Sequence, residues 1–203
     1  AAKTIKKEGT VRIAHFGAYD LESLGDTMFP VIFRLEMEER FGDRLEIDLY
    51  APSGTDHPYN HLTRVYQIDA LAQRHAKDPY CALVIGGGEF IHFQPVNYLS
   101  PDGKATQYSV GELWKKPQEI AKTLDLAVIW NGVGAGRDFE NISEMEQVRQ
   151  ACESLSYLSV RDAYSRMRLQ QIAVTRSIYQ VPDMLWLFRR HIQPETLDAC
   201  FAQ

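Results

Sequence analysis

The chain has 203 residues, 45% of them hydrophobic, which is enough to bury the core of one large domain or two small ones. The net charge of -5 argues against a nucleic-acid-binding surface, which needs a basic face. It does not exclude a small anionic ligand, because a local cluster of Arg side chains and backbone N–H groups can hold one.

Cysteine usage and hydropathy bear on where the protein works. The three cysteines are far apart and odd in number, which fits a reducing compartment better than a disulfide framework or a zinc site. No apolar run approaches the roughly 18 residues of a membrane-spanning helix, and no signal core follows the Lys-rich start. We therefore expect a cytoplasmic protein that does not span a membrane.

Strands and helices are predicted to alternate along the chain. Short apolar runs predict strands over residues 11–16, 45–50, 81–85, 126–130, 156–160 and 177–181. Helical spacing predicts helices over residues 26–41, 64–77, 117–124, 144–154, 163–172 and 194–203, with Asp26 and Asp162 as N-caps and Pro30 in a first turn. This order predicts an α/β fold: a three-layer, doubly wound, mainly parallel sheet of the Rossmann-like kind. Residues 1–9 are expected to be a flexible N-terminus, and residues 10–190 the domain.

The segment Cys81–Glu89 is the most informative stretch, because five apolar residues run into three glycines and an acid. The apolar run predicts a strand buried on both faces of a parallel sheet. Gly86, Gly87 and Gly88 have no Cβ, so their backbone can lie close to a ligand at the carboxyl end of that strand. The alternative is a tight turn that binds nothing.

A second glycine cluster follows the next buried strand, at Gly132, Gly134 and Gly136. The loops 17–27, 86–93, 131–138 and 161–165 should meet at one edge of the sheet, where their N–H groups suit a carboxylate or a phosphate. Arg161 would add a bidentate positive charge, although an ion pair with Asp162, Asp138 or Glu89 is an equal alternative. For Asp26 the helix cap alone is the more common role of such a residue.

Several site classes are not indicated. Neither glycine cluster matches the dinucleotide fingerprint or the phosphate-binding loop of NTPases, so we predict no cofactor. His57 and His61 are four residues apart but lie in a Pro-rich loop, so we predict no metal site. His15 and His92 are the histidines best placed for a pocket, although a lone histidine is more often structural.

Two further segments carry aromatic residues. The segment 90–107 is predicted to be a long ordered loop of the kind that often binds ligands. The apolar segment 184–188 is either a last core segment or an exposed surface where another domain or another copy packs.

These pieces together resemble the polysaccharide pyruvyl transferase family. The resemblance covers roughly residues 11–188, and its most specific piece is the stretch with Ser159, Arg161, Asp162 and Ser165. The other pieces are Ser23-Leu24-Gly25-Asp26, Val84-Ile85-Gly86-Gly87-Gly88, Gly132-Val133-Gly134-Ala135-Gly136 and Val181-Pro182-Asp183. Family members usually have Asn where this chain has Ser23.

The resemblance implies transfer of the pyruvyl group of phosphoenolpyruvate to a sugar as a cyclic ketal in cell-surface polysaccharide biosynthesis. It implies that Arg161 contacts the donor, and that Asp26 and Glu89 contact acceptor hydroxyls or order the loops. The substrate-binding residues predicted altogether are Asp26, Gly86, Gly87, Gly88, Glu89, His92, Gly132, Gly134, Arg161 and Ser165.

Family members are usually longer and resemble two-domain glycosyltransferases of the GT-B type. The chain is therefore expected to be the N-terminal half, with residues 191–203 as a terminal helix or the start of a linker to a second domain. The family's acid histidine lies in the second half, so no catalytic acid is assigned here. A glycosyltransferase-like domain and a non-catalytic domain that binds a sugar or a partner protein are the alternatives, and a homo-oligomer is possible.

Overall fold

A computed structural model describes residues 9–20, 23–54, 64–99, 105–108 and 111–191. The predicted flexible segment 1–8 and the predicted helix from Pro194 lie outside the described residues. None of the described helices has the length and apolar content that crossing a membrane requires.

Strands and helices alternate, as the sequence predicts. The strands are β1 (Val11–Phe16), β2 (Leu45–Ala51), β3 (Val65–Gln67), β4 (Ala82–Gly86), β5 (Val96–Leu99), β6 (Ala105–Tyr108), β7 (Ala127–Val133), β8 (Tyr157–Val160) and β9 (Tyr179–Gln180). The helices are α1 (Leu24–Phe41), α2 (Leu71–Lys77), α3 (Gly111–Thr123), α4 (Ile142–Glu153), α5 (Ala163–Gln171) and α6 (Phe188–His191).

Seven of the described strands form one parallel sheet in the order β3-β2-β1-β4-β7-β8-β9. The chain first runs outward from β1 to β3 and then crosses back to β4, so the strand order reverses between β1 and β4. Ligands of open α/β sheets bind at the carboxyl ends of the strands beside such a reversal. Phe16 pairs with Ile85 across this boundary, which places Gly86 at the reversal.

The sheet is buried on both faces, which makes the fold a three-layer α/β structure. Side chains alternate between the faces along β4: Leu83 and Ile85 pack in the core beneath α2, α3, α4 and α5, and Val84 packs in the core beneath α1. Met184 and Leu185 pack against that second core. The predicted doubly wound, Rossmann-like fold is therefore confirmed.

Two local predictions about helix starts were wrong. Helix α1 is capped by Ser23, whose Oγ accepts a hydrogen bond from the Asp26 backbone N at 3.4 Å. Asp26 lies instead inside the first turn, where the helix dipole favours a negative charge. Pro30 lies one turn deeper than expected, and Pro117 lies inside α3 rather than at its start, because α3 begins at Gly111.

Two predictions of element type were also wrong. The first part of the predicted helix 64–77 is the short strand β3, which pairs with β2. Its few apolar residues fit either period, so pairing in the sheet decides the conformation. The predicted loop 90–107 contains the antiparallel pair β5 and β6. Strands of four residues leave too short an alternation to be recognised.

Candidate functional site

The predicted loops do meet at the carboxyl edge of the sheet. Hydrogen bonds join the two glycine clusters, since Gly134 N donates to Gly88 O at 2.9 Å and Ile91 N donates to Gly134 O at 3.0 Å. Glu89 and Gly134 form an isolated parallel bridge, which continues the pairing of β4 with β7 beyond the strand ends. The two clusters are therefore one folded unit.

Each glycine leaves space for one particular side chain. A Cβ on Gly87 would lie 2.2 Å from the Phe29 ring, and a Cβ on Gly88 would lie 3.1 Å from Asp26 Oδ1. Both residues also have positive φ, at 77° and 79°, which favours glycine. On the second cluster, a Cβ on Gly134 would lie 2.9 Å from Arg161 Nε.

The Glu89 carboxylate packs directly against Gly136, since a Cβ on Gly136 would lie 2.9 Å from it. The glycines thus let Asp26, Glu89 and Arg161 rest directly on the backbone. Within the triple glycine, Gly88 makes room for Asp26 and Gly87 makes room for the Phe29 ring, at the reversal of strand order.

The stretch from Ser159 to Ser165 holds the second glycine cluster in place. Ser159 Oγ accepts from Gly132 N at 2.9 Å, and the buried Ser165 Oγ accepts from Ala135 N at 2.9 Å. Arg161 N donates to Val133 O between them, at 3.3 Å. The two serines therefore fix both ends of the loop on which the Arg161 guanidinium lies.

Hydrogen bonds within these loops occupy backbone N–H groups that could otherwise bind a ligand. The N–H groups of Gly132, Gly134 and Ala135 all donate within the protein, and Gly87 N donates to Asn131 O at 3.4 Å. These four N–H groups therefore already have partners within the protein.

Arg161 is surrounded by carboxylates. Its guanidinium nitrogens lie 3.7 Å from Glu89 Oε2, 3.5 Å from Asp162 Oδ2 and 3.6 Å from Asp183 Oδ2. The ion-pair alternative is thus realised for Glu89 and Asp162. A charge-assisted hydrogen bond is about 2.7–2.9 Å long, so each of these contacts is loose. The Arg161 side chain also keeps 26% exposure, which leaves it accessible to a ligand.

Asp26 lies on the α1 side of Arg161. It completes a charged cluster that consists of Asp26, Glu89, Arg137, Arg161, Asp162 and Asp183. Burial raises the pKa of its carboxyl, and the hydrogen bond with Ser23 and the charge of Arg161 partly offset that rise. A carboxyl with a raised pKa beside a guanidinium is a candidate for proton exchange with a ligand hydroxyl. Ser23 and Asn cap helices equally well, so the departure from the family at this position preserves the helix start.

The two histidines singled out from the sequence are both buried. His15 Nδ1 lies 2.8 Å from the Tyr19 hydroxyl, and the same hydroxyl lies 3.4 Å from Gly86 O. Burial, with the charge of Arg34 second, lowers the pKa of His15 to about 3. The pKa of His92 is also lowered, by burial first and by Arg137 second. Both rings therefore favour the neutral form, and His15 lies against Gly86, where a Cβ would be 3.1 Å from its Nε2.

The structure therefore brings Asp26, Glu89 and Arg161 together with Gly88 and Gly134. It places Ser165 and His92 in supporting positions, as the buried side chains behind these loops. Sequence reasoning missed Asp183 and Arg137 as members, although Arg137 Nε lies 3.4 Å from Glu89 Oε1. Asp183 lies two residues after the predicted strand 177–181, and Arg137 directly follows the second glycine cluster; these positions were the available signals. Within the described ranges, no group of three or more His, Cys, Asp or Glu side chains could hold a metal.

Comparison with known proteins identifies the family to which the chain is similar. The family model described as polysaccharide pyruvyl transferase matches residues 18–199, which is most of the chain and includes every side chain of the cluster. No protein with curated annotation matched the chain.

Proposed function

The chain belongs to the polysaccharide pyruvyl transferase family, and we propose that it contributes to transfer of the pyruvyl group of phosphoenolpyruvate to a saccharide as a ketal. In this reaction a proton adds to the methylene carbon of the donor, which becomes a methyl group. Two sugar hydroxyls form bonds to the neighbouring carbon, and the bond from that carbon to phosphate breaks. Of the two hydroxyl protons, one balances the proton added to carbon and the other leaves with phosphate.

The observation that carries the proposal is the loose coordination of Arg161. Three carboxylates hold the guanidinium at 3.5–3.7 Å, so none of them forms a full hydrogen bond. A donor carboxylate or phosphate can approach closer and bind in bidentate fashion. The fixed position of Arg161 on Gly134 means that little side-chain entropy is lost when the donor binds.

Asp26 and Glu89 suit the acceptor. Carboxylates accept hydrogen bonds from hydroxyls, and two of them beside a bound donor can orient the two hydroxyls that attack in turn. The raised pKa of Asp26 allows it to take up a hydroxyl proton. No residue of the described chain is assigned as the acid that protonates the methylene carbon.

Calorimetric titration tests the donor. We expect phosphoenolpyruvate to bind the wild-type protein, and Arg161→Lys to weaken binding about 10- to 100-fold, because Lys lacks the planar fork and about 1.5–3 kcal/mol of charge-assisted hydrogen bonding is lost. Binding of a uridine diphosphate sugar without phosphoenolpyruvate binding would instead support the glycosyltransferase alternative. Binding of neither would support a non-catalytic domain.

A further inference from the structure

Trp186 has an unusual environment for a tryptophan. The chain contains three tryptophans, and Trp114 and Trp130 are buried whereas Trp186 is 80% exposed. Full exposure of an indole forgoes the burial that stabilises most large aromatic residues. An exposed large apolar side chain is informative when it lies beside a functional site.

A short hydrogen-bonded turn connects Trp186 to the charged cluster. Asp183 Oδ2 faces Arg161 Nη1 at 3.6 Å, and Asp183 Oδ1 accepts from Leu185 N at 2.9 Å. Asp183 thereby caps the 3-10 turn Met184–Leu187, within which Trp186 N donates to Asp183 O at 3.0 Å. A 3-10 turn has three residues per turn and a rise of about 2 Å per residue. Because this backbone hydrogen bond spans three residues, the Cα atoms of Asp183 and Trp186 lie roughly 6 Å apart.

The turn is held firmly on its other side. Met184 and Leu185 pack against the core beneath α1, and a Cβ on Gly25 would lie 4.0 Å from Leu185 Cδ1. The first turn of α1 also carries Leu24, which is 80% exposed. The indole is thus presented by a fixed backbone rather than by a loose segment.

We propose that Trp186 is the stacking platform for the saccharide acceptor, an inference that rests on the proposed function and deepens it. The C–H groups on one face of a pyranose carry partial positive charge, and they pack favourably on the negative face of an indole. The roughly 6 Å between Trp186 and Asp183 is about the width of one sugar ring. A ring stacked on Trp186 therefore directs its hydroxyls toward Asp183 and the other carboxylates around Arg161.

The same carboxylates favour a saccharide over a protein as the occupant. A protein surface that covered Trp186 and the adjoining edge would have to desolvate Asp183, Glu89 and Asp26, which is costly without new cationic partners. A saccharide supplies hydroxyl donors to these groups and leaves them partly hydrated. Trp186 thus acts as a specificity-determining residue that selects acceptors with an unobstructed C–H face.

Intrinsic fluorescence tests this directly, because Trp186 is the tryptophan that a soluble quencher can reach. Methyl glycosides of glucose, galactose and mannose serve as probes, with acrylamide as the quencher. We expect at least one glycoside to protect the quenchable emission. Both variants lack the quenchable indole, so calorimetric titration of the same glycoside compares their affinities with that of the wild type. Trp186→Phe should retain binding, and Trp186→Ala should weaken it about 3- to 10-fold, from a stacking energy of about 0.5–1.5 kcal/mol. Ile142→Ala removes an equally exposed apolar side chain, 83% exposed, from another helix and should leave binding unchanged.

The outcomes separate this inference from the proposed function. Glycoside binding that Trp186→Ala weakens, in a protein that does not bind phosphoenolpyruvate, would overturn the donor and keep the platform. Equal glycoside affinity in wild type and Trp186→Ala, with normal phosphoenolpyruvate binding, would overturn the platform alone. A dimer seen by analytical ultracentrifugation that Trp186→Ala abolishes would also overturn it, because Trp186 would then cover a second copy.

Discussion

Substitution of Gly134 by alanine should separate ligand binding from stability. Gly134 does not have positive φ, so alanine fits its backbone without strain. The new Cβ would lie 2.9 Å from Arg161 Nε, 3.0 Å from Nη2 and 3.1 Å from Cζ. Ordinary carbon contacts are about 3.5–4.0 Å, so the guanidinium must move by about 0.5–1 Å.

Gly134→Ala should change the free energy of unfolding little and the affinity for phosphoenolpyruvate strongly. The new Cβ meets the end of a side chain rather than the backbone, so a small shift relieves the clash. Alanine also reduces the entropy of the unfolded chain by about 0.4–1 kcal/mol, so the free energy of unfolding should change little. Loss of one well-aligned charge-assisted contact costs about 1.5–3 kcal/mol, so phosphoenolpyruvate should bind about 10- to 100-fold more weakly. Calorimetric titration and a thermal melt measure the two effects in one preparation.

Gly42→Ala is the matched control. Gly42 has φ of 55°, and no atom lies within 4 Å of a Cβ placed there. Its ψ is -140°, an extended conformation at positive φ that is nearly restricted to glycine, so alanine should cost about 1–3 kcal/mol and lower Tm without changing donor affinity. The role of Gly134 is refuted if Gly134→Ala binds phosphoenolpyruvate as the wild type does, or if Gly42→Ala weakens binding as strongly.

Three further changes should alter stability in defined ways. Ser165→Ala leaves the buried N–H of Ala135 without its partner, so unfolding in denaturant should show a loss of about 1–3 kcal/mol, and no loss would contradict this role. His15 has a pKa lowered to about 3, so stability should fall by about 1.4 kcal/mol per pH unit as pH drops from about 6.5 toward 3, and His15→Gln should lack this slope. Asp26 has a raised pKa, so its ionisation should cost stability as pH rises above the usual Asp range. Melts across pH should show that Asp26→Asn removes this cost, and an unchanged profile would contradict the assignment.

Periodicity and glycine placement were sufficient to predict the sheet and the edge that carries the site. The continuous apolar run before Gly86 predicts a strand that is buried on both faces, and the structure shows this burial. Because crossover connections make such strands parallel, their carboxyl ends lie at one edge of the sheet. The same reasoning led to Arg161, because a charge directly after a buried strand has to lie at that edge. The short strands β3, β5 and β6 were missed because three or four residues contain too little alternation.

The details of the cluster depended on contacts between distant segments. Nothing local to Ser165 indicates that its hydroxyl bonds Ala135 N, 30 residues earlier in the chain. Asp26 and Ser23 are both good caps, and only the geometry of the chain entering α1 selects Ser23. Likewise, a run of five apolar residues does not show that Trp186 is exposed while its neighbours are partly buried; that difference comes from the 3-10 turn.

A crystal structure of the protein with phosphoenolpyruvate bound would show whether Arg161 holds the donor. We expect a carboxylate or phosphate oxygen of the donor within hydrogen-bonding distance of the Arg161 guanidinium, above Gly88 and Gly134. A donor bound elsewhere, with Arg161 still held by Glu89, Asp162 and Asp183, would contradict it.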